Sequence, residues 1–172
     1  MAKSVTLAVT GSRPNKLKGG YDNMSSDNQR MIDFFTKTIE DTLALNDKVH
    51  CISGGALGAD TLWAIAVINC RFMYPGKVSL EMAIPFTNQD GNWPDKSKNI
   101  YRDLLAQADK ITNVSGQDLY EPTYMQTRNE YMVDNCHGLI AIYNGTTGGT
   151  HNCVQYAKKQ NKRILVNSSF HK

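Results

Sequence analysis

Three short segments combine glycine with hydroxyl, carboxylate or guanidinium side chains: TGSRP at 10–14, SGGALGAD at 53–60 and NGTTGGT at 144–150. Glycine lets backbone amides come close to an anion, and a helix that begins just beyond such a loop adds partial positive charge. That is phosphate chemistry. One exposed helix end supplies only about 0.3–1 kcal/mol, so several loops must converge before a nucleotide is held. The candidate pocket positions are Gly11, Ser12 and Arg13, then Ser53, Gly54, Gly55, Gly58 and Asp60, then Gly148, Gly149 and Thr150. Ser53 and Thr150 can donate to phosphate, while Asp60 either holds a ribose hydroxyl or caps the helix that follows it. Arg13 and Arg128 carry guanidinium groups suited to bidentate phosphate contacts, against the plainer reading of each as half of a surface ion pair. Trp93, in the polar stretch GNWPDK, is the candidate for stacking on a base.

Other chemistries lack their patterns. No segment has the GxxxxGK[ST] spacing of a nucleoside-triphosphatase loop, a full GxGxxG or a GxSxG elbow. His50, His137, His151 and His171 show no paired ligand spacing, so neither a metal nor another cofactor is expected. Cys51, Cys70, Cys136 and Cys153 form no CxxC pair and read as reduced core residues, which predicts a cytoplasmic setting. No secretory pattern opens the chain and no apolar run reaches membrane-spanning length, so no membrane partner is expected. The net charge is +3, and the one dense basic cluster, Lys158 to Arg163, reads as a solvated helix end, so nucleic acid is not an expected partner.

The elements that must position these residues alternate. Apolar runs at Val5–Val9, Val49–Ser53, Val78–Ile84, Lys110–Val114, Leu139–Tyr143 and Ile164–Val166 predict strands. Between them lie helical patterns over about 31–45, 62–70, 99–108, 121–136 and 150–160, with Pro122 expected in the first turn of the fourth. A chain of 172 residues with this alternation predicts a single domain over residues 1–172, of α/β class. The architecture is Rossmann-like, a mostly parallel sheet with helices on both faces. Ligands of such sheets collect beyond the carboxyl ends of the strands, where the glycine loops fall.

LAVTGSRP at 7–14, ISGGALGADTLWA at 52–64, IPFTNQDGNW at 84–93, LLAQADK at 104–110 and the last glycine loop resemble, in order, the YpsA-like proteins of the SLOG superfamily. The superfamily joins the DprA DNA-processing proteins to the LOG phosphoribohydrolases. The resemblance implies a Rossmann-like domain for a nucleotide or nucleotide-derived small molecule, such as a cyclic nucleotide or an ADP-ribose-type signal. It would act as a sensor or a sequestering protein, and by analogy as a homo-oligomer. MQTRNEYM at 125–132 is similar to the LOG segment MxxRKxxM and places Arg128 on its functional arginine. Matching Gly149-Thr150 to the GT pair of PGGxGTxxE puts Cys153 at the catalytic glutamate. A neutral thiol cannot stabilise the oxocarbenium-like charge that develops as an N-glycosidic bond breaks. Glu130 is no substitute, because two residues along a helix it points about 200° away from Arg128. The expectation is therefore a protein that holds its ligand without LOG-type hydrolysis. The alternatives are a nucleoside 5′-monophosphate N-glycosidase, with Asp60 or Asp134 as its carboxylate, and a single-stranded nucleic-acid module.

Overall fold

A computed structural model describes residues 3–172. Six parallel strands form one sheet: β1 (Ser4–Gly11), β2 (Lys48–Ser53), β3 (Val78–Ile84), β4 (Lys110–Asn113), β5 (Gly138–Ile142) and β6 (Arg163–Asn167). Their order is β4-β3-β2-β1-β5-β6. The chain steps outward from β1 to β4, then crosses back to β5 on the other side of β1. The reversal between β1 and β5 opens a crevice at their carboxyl ends.

Five helices cover the sheet: α1 (Ser26–Leu43), α2 (Ala59–Met73), α3 (Asp95–Gln107), α4 (Tyr124–Asp134) and α5 (Gly149–Lys159). Residues of α1, α2 and α3 share a core with Leu7, Val9, Cys51, Leu80 and Met82, side chains of one sheet face. Those of α4 and α5 pack on Ala8, Ile52, Ala83 and Leu139, from the other. The alternation of side chains along each strand thus sets which helix each residue meets. Helix α2 runs through the middle of its layer, which explains its almost uniformly buried first three turns. Its Trp63 is fully buried, meets Phe35 of α1 edge-on at 5.2 Å and donates its indole N–H to the Ile52 carbonyl at 3.0 Å. Helix α1 starts where Ser25 accepts the Asn28 amide at 3.3 Å, an N-cap bond.

Strand positions follow the apolar runs closely, and the differences lie in the connections. Pro14–Lys16 forms a 3-10 turn inside a stretch that reads as loop. Helix α3 starts at Asp95 with Pro94 as its N-cap, earlier than its apolar spacing implies, because its first turn is polar. Pro122 lies outside α4, in a turn closed by the Tyr124 amide and the Glu121 carbonyl at 3.1 Å. The residue before a proline disfavours helical backbone, so helix begins only beyond it. All four cysteines are buried and unpaired, and no described helix is long and apolar enough to cross a membrane.

Candidate functional site

A cleft of about 430 Å³ occupies the crevice at the β1–β5 reversal. One side is the chain leaving β1, from Thr10 to Lys16; the other is Tyr143 and the glycine segment entering α5. Helix α4 contributes Met125, Arg128, Asn129 and Met132, and the start of α2 contributes Asp60.

The charged floor is built around Gly54. Arg128 is only 4% exposed; it donates from Nη1 to the Gly54 carbonyl and from Nε to Asn129 Oδ1 at 3.1 Å. Asp60, 5% exposed, accepts the Ala56 amide through Oδ2 at 3.2 Å. A side chain on Gly54 would start 2.5 Å from Arg128 Nη1 and 2.8 Å from Asp60 Oδ2, so only glycine lets the two groups sit side by side. Burial raises the Asp60 pKa, and the Arg128 and Arg13 charges oppose the rise. Burial likewise lowers the Arg128 pKa, with Asp60 the main counterweight. Burial thus works against both charged forms, and each group partly offsets that for the other.

The mouth is cationic and rich in free amides. Arg13 and Lys16 are exposed and form no ion pair among the described residues, so Asp60 is the one carboxylate among the cleft-lining side chains, against Arg13, Lys16 and Arg128. The Asn152 amide donates to the Gly148 carbonyl at 3.0 Å, and the amides ahead of it are those a helix start leaves without internal partners. No side chain caps them. A Cβ at Gly149 would meet nothing within 4 Å, and its φ is not positive. Neither packing nor backbone conformation asks for glycine there, whereas close approach of an anion to the amides would.

Eight of the thirteen sequence-read positions line this cleft: Gly11, Ser12, Arg13, Asp60, Arg128, Gly148, Gly149 and Thr150. The others stand behind it. Ser53 is fully buried and donates to the Asp60 carbonyl at 2.8 Å, so its hydroxyl braces a loop instead of meeting a ligand. Gly54 and Gly55 back Arg128 and Tyr101, and Gly58, with φ +96°, passes so close to the Ser12 carbonyl that a Cβ would lie 2.4 Å from it. Asp60 does not cap α2, whose N-cap is Gly58. Trp93 is half-buried, edge-on to Tyr101 at 5.1 Å, which corrects the reading of it as an exposed stacking residue. Of the other suspect carboxylates, Asp134 accepts the Tyr156 hydroxyl at 2.8 Å outside the cleft, and Glu130 accepts the Gln126 amide at 3.2 Å.

Cys153 is fully buried on the inner side of α5, among Ala8, Met132, Val133 and Ala157. Burial pushes its thiol pKa up to about 12 despite a hydrogen bond from Thr10, so it is neutral and lies under the cleft, not in it. Met125 of the MQTRNEYM motif and Tyr143 also line the cleft, and Lys16 and Asn129 do so without a sequence signal to mark them. Tyr143 is oriented by a hydrogen bond between its hydroxyl and His151 Nδ1. His171, the penultimate residue, is buried beside Ser12, with Nε2 and Oγ 2.8 Å apart, and burial lowers its pKa.

The family model for YpsA, described as the YspA SLOG family, matches residues 7–168. The chain is 34% identical over 142 residues to the uncharacterized SPbeta prophage-derived protein YoqJ of Bacillus subtilis (strain 168), covering 76% of this chain and 81% of that one. It is 27% identical over 150 residues to a UPF0398 protein of Bacillus pumilus (strain SAFR-032), covering 84% and 76%. Among solved structures, DNA processing protein A from Helicobacter pylori, studied for its single-stranded DNA binding mode, superposes with a TM-score of 0.65 at 17% identity. That match covers 99% of this chain and 69% of the other, and it establishes a shared fold.

Proposed function

Because the chain belongs to the YspA SLOG family, we propose that it binds a nucleotide-derived anion, of the cyclic-nucleotide or ADP-ribose type, in the β1–β5 cleft. It holds that ligand as a sensor or sequestering protein and does not cleave it as a LOG enzyme would. The observation that carries this reading is the charge balance of the cleft: Arg13, Lys16 and Arg128 face an uncapped helix start with Asp60 as the only opposing carboxylate. Gly149, a glycine with neither a neighbour nor an unusual φ to explain it, supports the same reading. Against cleavage stands Cys153, neutral and buried beneath the cleft where the LOG alignment wants a glutamate.

Titration calorimetry with AMP, ADP, ADP-ribose and cyclic AMP tests the binding claim, with heat expected from at least one of them. Absence of binding by all of them at millimolar concentration would remove it. Chromatography of AMP after long incubation tests the second claim: release of adenine would reinstate the N-glycosidase, with Asp60 as its carboxylate.

A second reading, single-stranded nucleic acid, draws on the fold shared with a protein studied for that activity. The basic end of α5 does not adjoin the cleft. Lys158 and Lys159 sit in the last turn of the 11-residue α5, while the cleft lies at its first turn, about 16 Å away along the helix. A gel shift with oligonucleotides, weakening steeply as salt rises, would favour it over the small-molecule reading.

A further inference from the structure

Three side chains of the cleft floor keep unused hydrogen-bonding atoms. Arg128 engages Nε and Nη1, and its Nη2 has no partner among the described residues. Asn129 turns its oxygen to Arg128, which fixes the amide orientation because a guanidinium only donates, and leaves Nδ2 free. Asp60 engages Oδ2 through Ala56 and leaves Oδ1. The buried side-chain atoms without partners are Asn28 Oδ1 and Gln89 Oε1, so none of these three is sealed from the cleft that all three residues line. No ion pair joins Asp60 to Arg128, although each shifts the other's protonation and both crowd the same side of Gly54.

The floor therefore offers one carboxyl acceptor beside two donors, on residues at least nine-tenths buried. A phosphate suits this badly, since Asp60 would face it. A pair of neighbouring hydroxyls suits it well: each hydroxyl gives one proton and accepts one, so Asp60 takes a proton while Arg128 and Asn129 donate to the oxygens. The phosphate belongs at the mouth, with Arg13, Lys16 and the α5 amides. Resting on the proposed anion site, we infer that Asp60, Arg128 and Asn129 form a subsite for the free vicinal diol of a ribose, which makes the cleft selective for ribonucleotides over deoxynucleotides and, within the proposed ligand class, for the ADP-ribose type over 3′,5′-cyclic nucleotides, whose 3′ oxygen is esterified. A missing hydroxyl leaves these buried groups unpaired, which is how sites built on hydrogen bonds reject analogues that lack one.

Calorimetry with ADP, 2′-deoxy-ADP, 3′-deoxy-ADP and pyrophosphate separates the two levels. ADP is expected to bind roughly tenfold or more tightly than either deoxy form. In Asp60→Asn, which replaces the carboxyl group by a weaker, neutral amide acceptor, the ratio of ADP to deoxy affinity should fall. Equal binding of ADP and its deoxy forms by the wild-type protein would overturn the diol subsite and leave the anion site standing, as would binding of pyrophosphate alone. Failure of all four to bind, together with AMP, ADP-ribose and cyclic AMP, would overturn both. The wild-type ligand series is decisive even if Asp60→Asn does not fold.

Discussion

At the residue scale, two glycines of the cleft separate the demands of folding from those of binding. Gly54 is a packing requirement: a Cβ would press into Arg128 Nη1 and Asp60 Oδ2, both anchored and buried. Gly54→Ala should cost about 1–3 kcal/mol, read by denaturant unfolding, and should weaken ADP binding as well. Gly149 is the opposite case. With open space around it and no positive φ, Gly149→Ala should leave stability unchanged or raise it by about 0.4–1 kcal/mol through the unfolded chain. With an anion seated on the α5 amides, added bulk at their first residue crowds it, and pyrophosphate binding should weaken by about the 0.5–1.5 kcal/mol of one hydrogen bond. Parallel melts and titrations of the two variants check this. Equal pyrophosphate affinity of Gly149→Ala and wild type would show that the helix start is not the anion's seat.

At the element scale, the position of α4 decides which of its residues reach the cleft. Two anchors hold it, Arg128 on the Gly54 carbonyl and, one turn later, Tyr131, whose hydroxyl donates to Glu81 of β3 at 2.6 Å. Glu81 is buried and also receives His50 Nε2 and Thr112 Oγ1, each at 2.8 Å, with Lys110 Nζ at 3.9 Å. Burial works to raise its pKa, but these partners outweigh it and bring it from 4.5 down to about 2. A carboxylate with a depressed folded pKa stabilises fully above its unfolded value and loses that contribution as pH falls through the folded one. The window is pH 4.5 to about 2. Melting temperatures across pH 2–7 should show Glu81→Gln below wild type at neutral pH, with the difference shrinking as the buffer is acidified through that window. Tyr131→Phe should weaken ADP binding without touching the cleft, by loosening the helix that carries Arg128.

The same anchors explain what the sequence could reveal. Strand-end loops are marked by glycine, and Arg128 by its motif, so the polar outline of the cleft was legible. Asn129 is not, because the face that α4 turns inward depends on Glu81 and Gly54, which are distant in sequence. Trp93 looked exposed among polar neighbours, yet it folds onto Tyr101 of α3, and no local pattern announces that pairing. The place of Ser53 in a glycine loop suggests a phosphate donor, while its hydroxyl is used by the Asp60 carbonyl. Asp134, a suspect carboxylate from its place on α4, is held by Tyr156 outside the cleft.

At the scale of the whole molecule, the cleft joins segments far apart in the chain: the β1 exit, the start of α2, one face of α4 and the start of α5. A ligand that bridges them binds only the folded protein, so it stabilises the fold by mass action, about 2.7 kcal/mol at one hundred times its Kd. For a domain of this size each kcal/mol moves Tm by about 2–4 °C, so saturating ADP should raise Tm by roughly 5–11 °C. Salt should divide the contributions. Arg13 and Lys16 are exposed and screened, whereas Arg128 lies buried where screening is weak. The shift produced by pyrophosphate, held at the mouth, should therefore shrink strongly between 50 mM and 500 mM salt, while the advantage of ADP over 2′-deoxy-ADP, set at the buried floor, should persist. Thermal melts of the wild-type protein in this ligand and salt grid read both effects at once. A ribose advantage that disappears with salt in step with the pyrophosphate shift would mean that the floor and the mouth are a single screened surface, and that the division of labour drawn from Asp60, Arg128 and Asn129 is wrong.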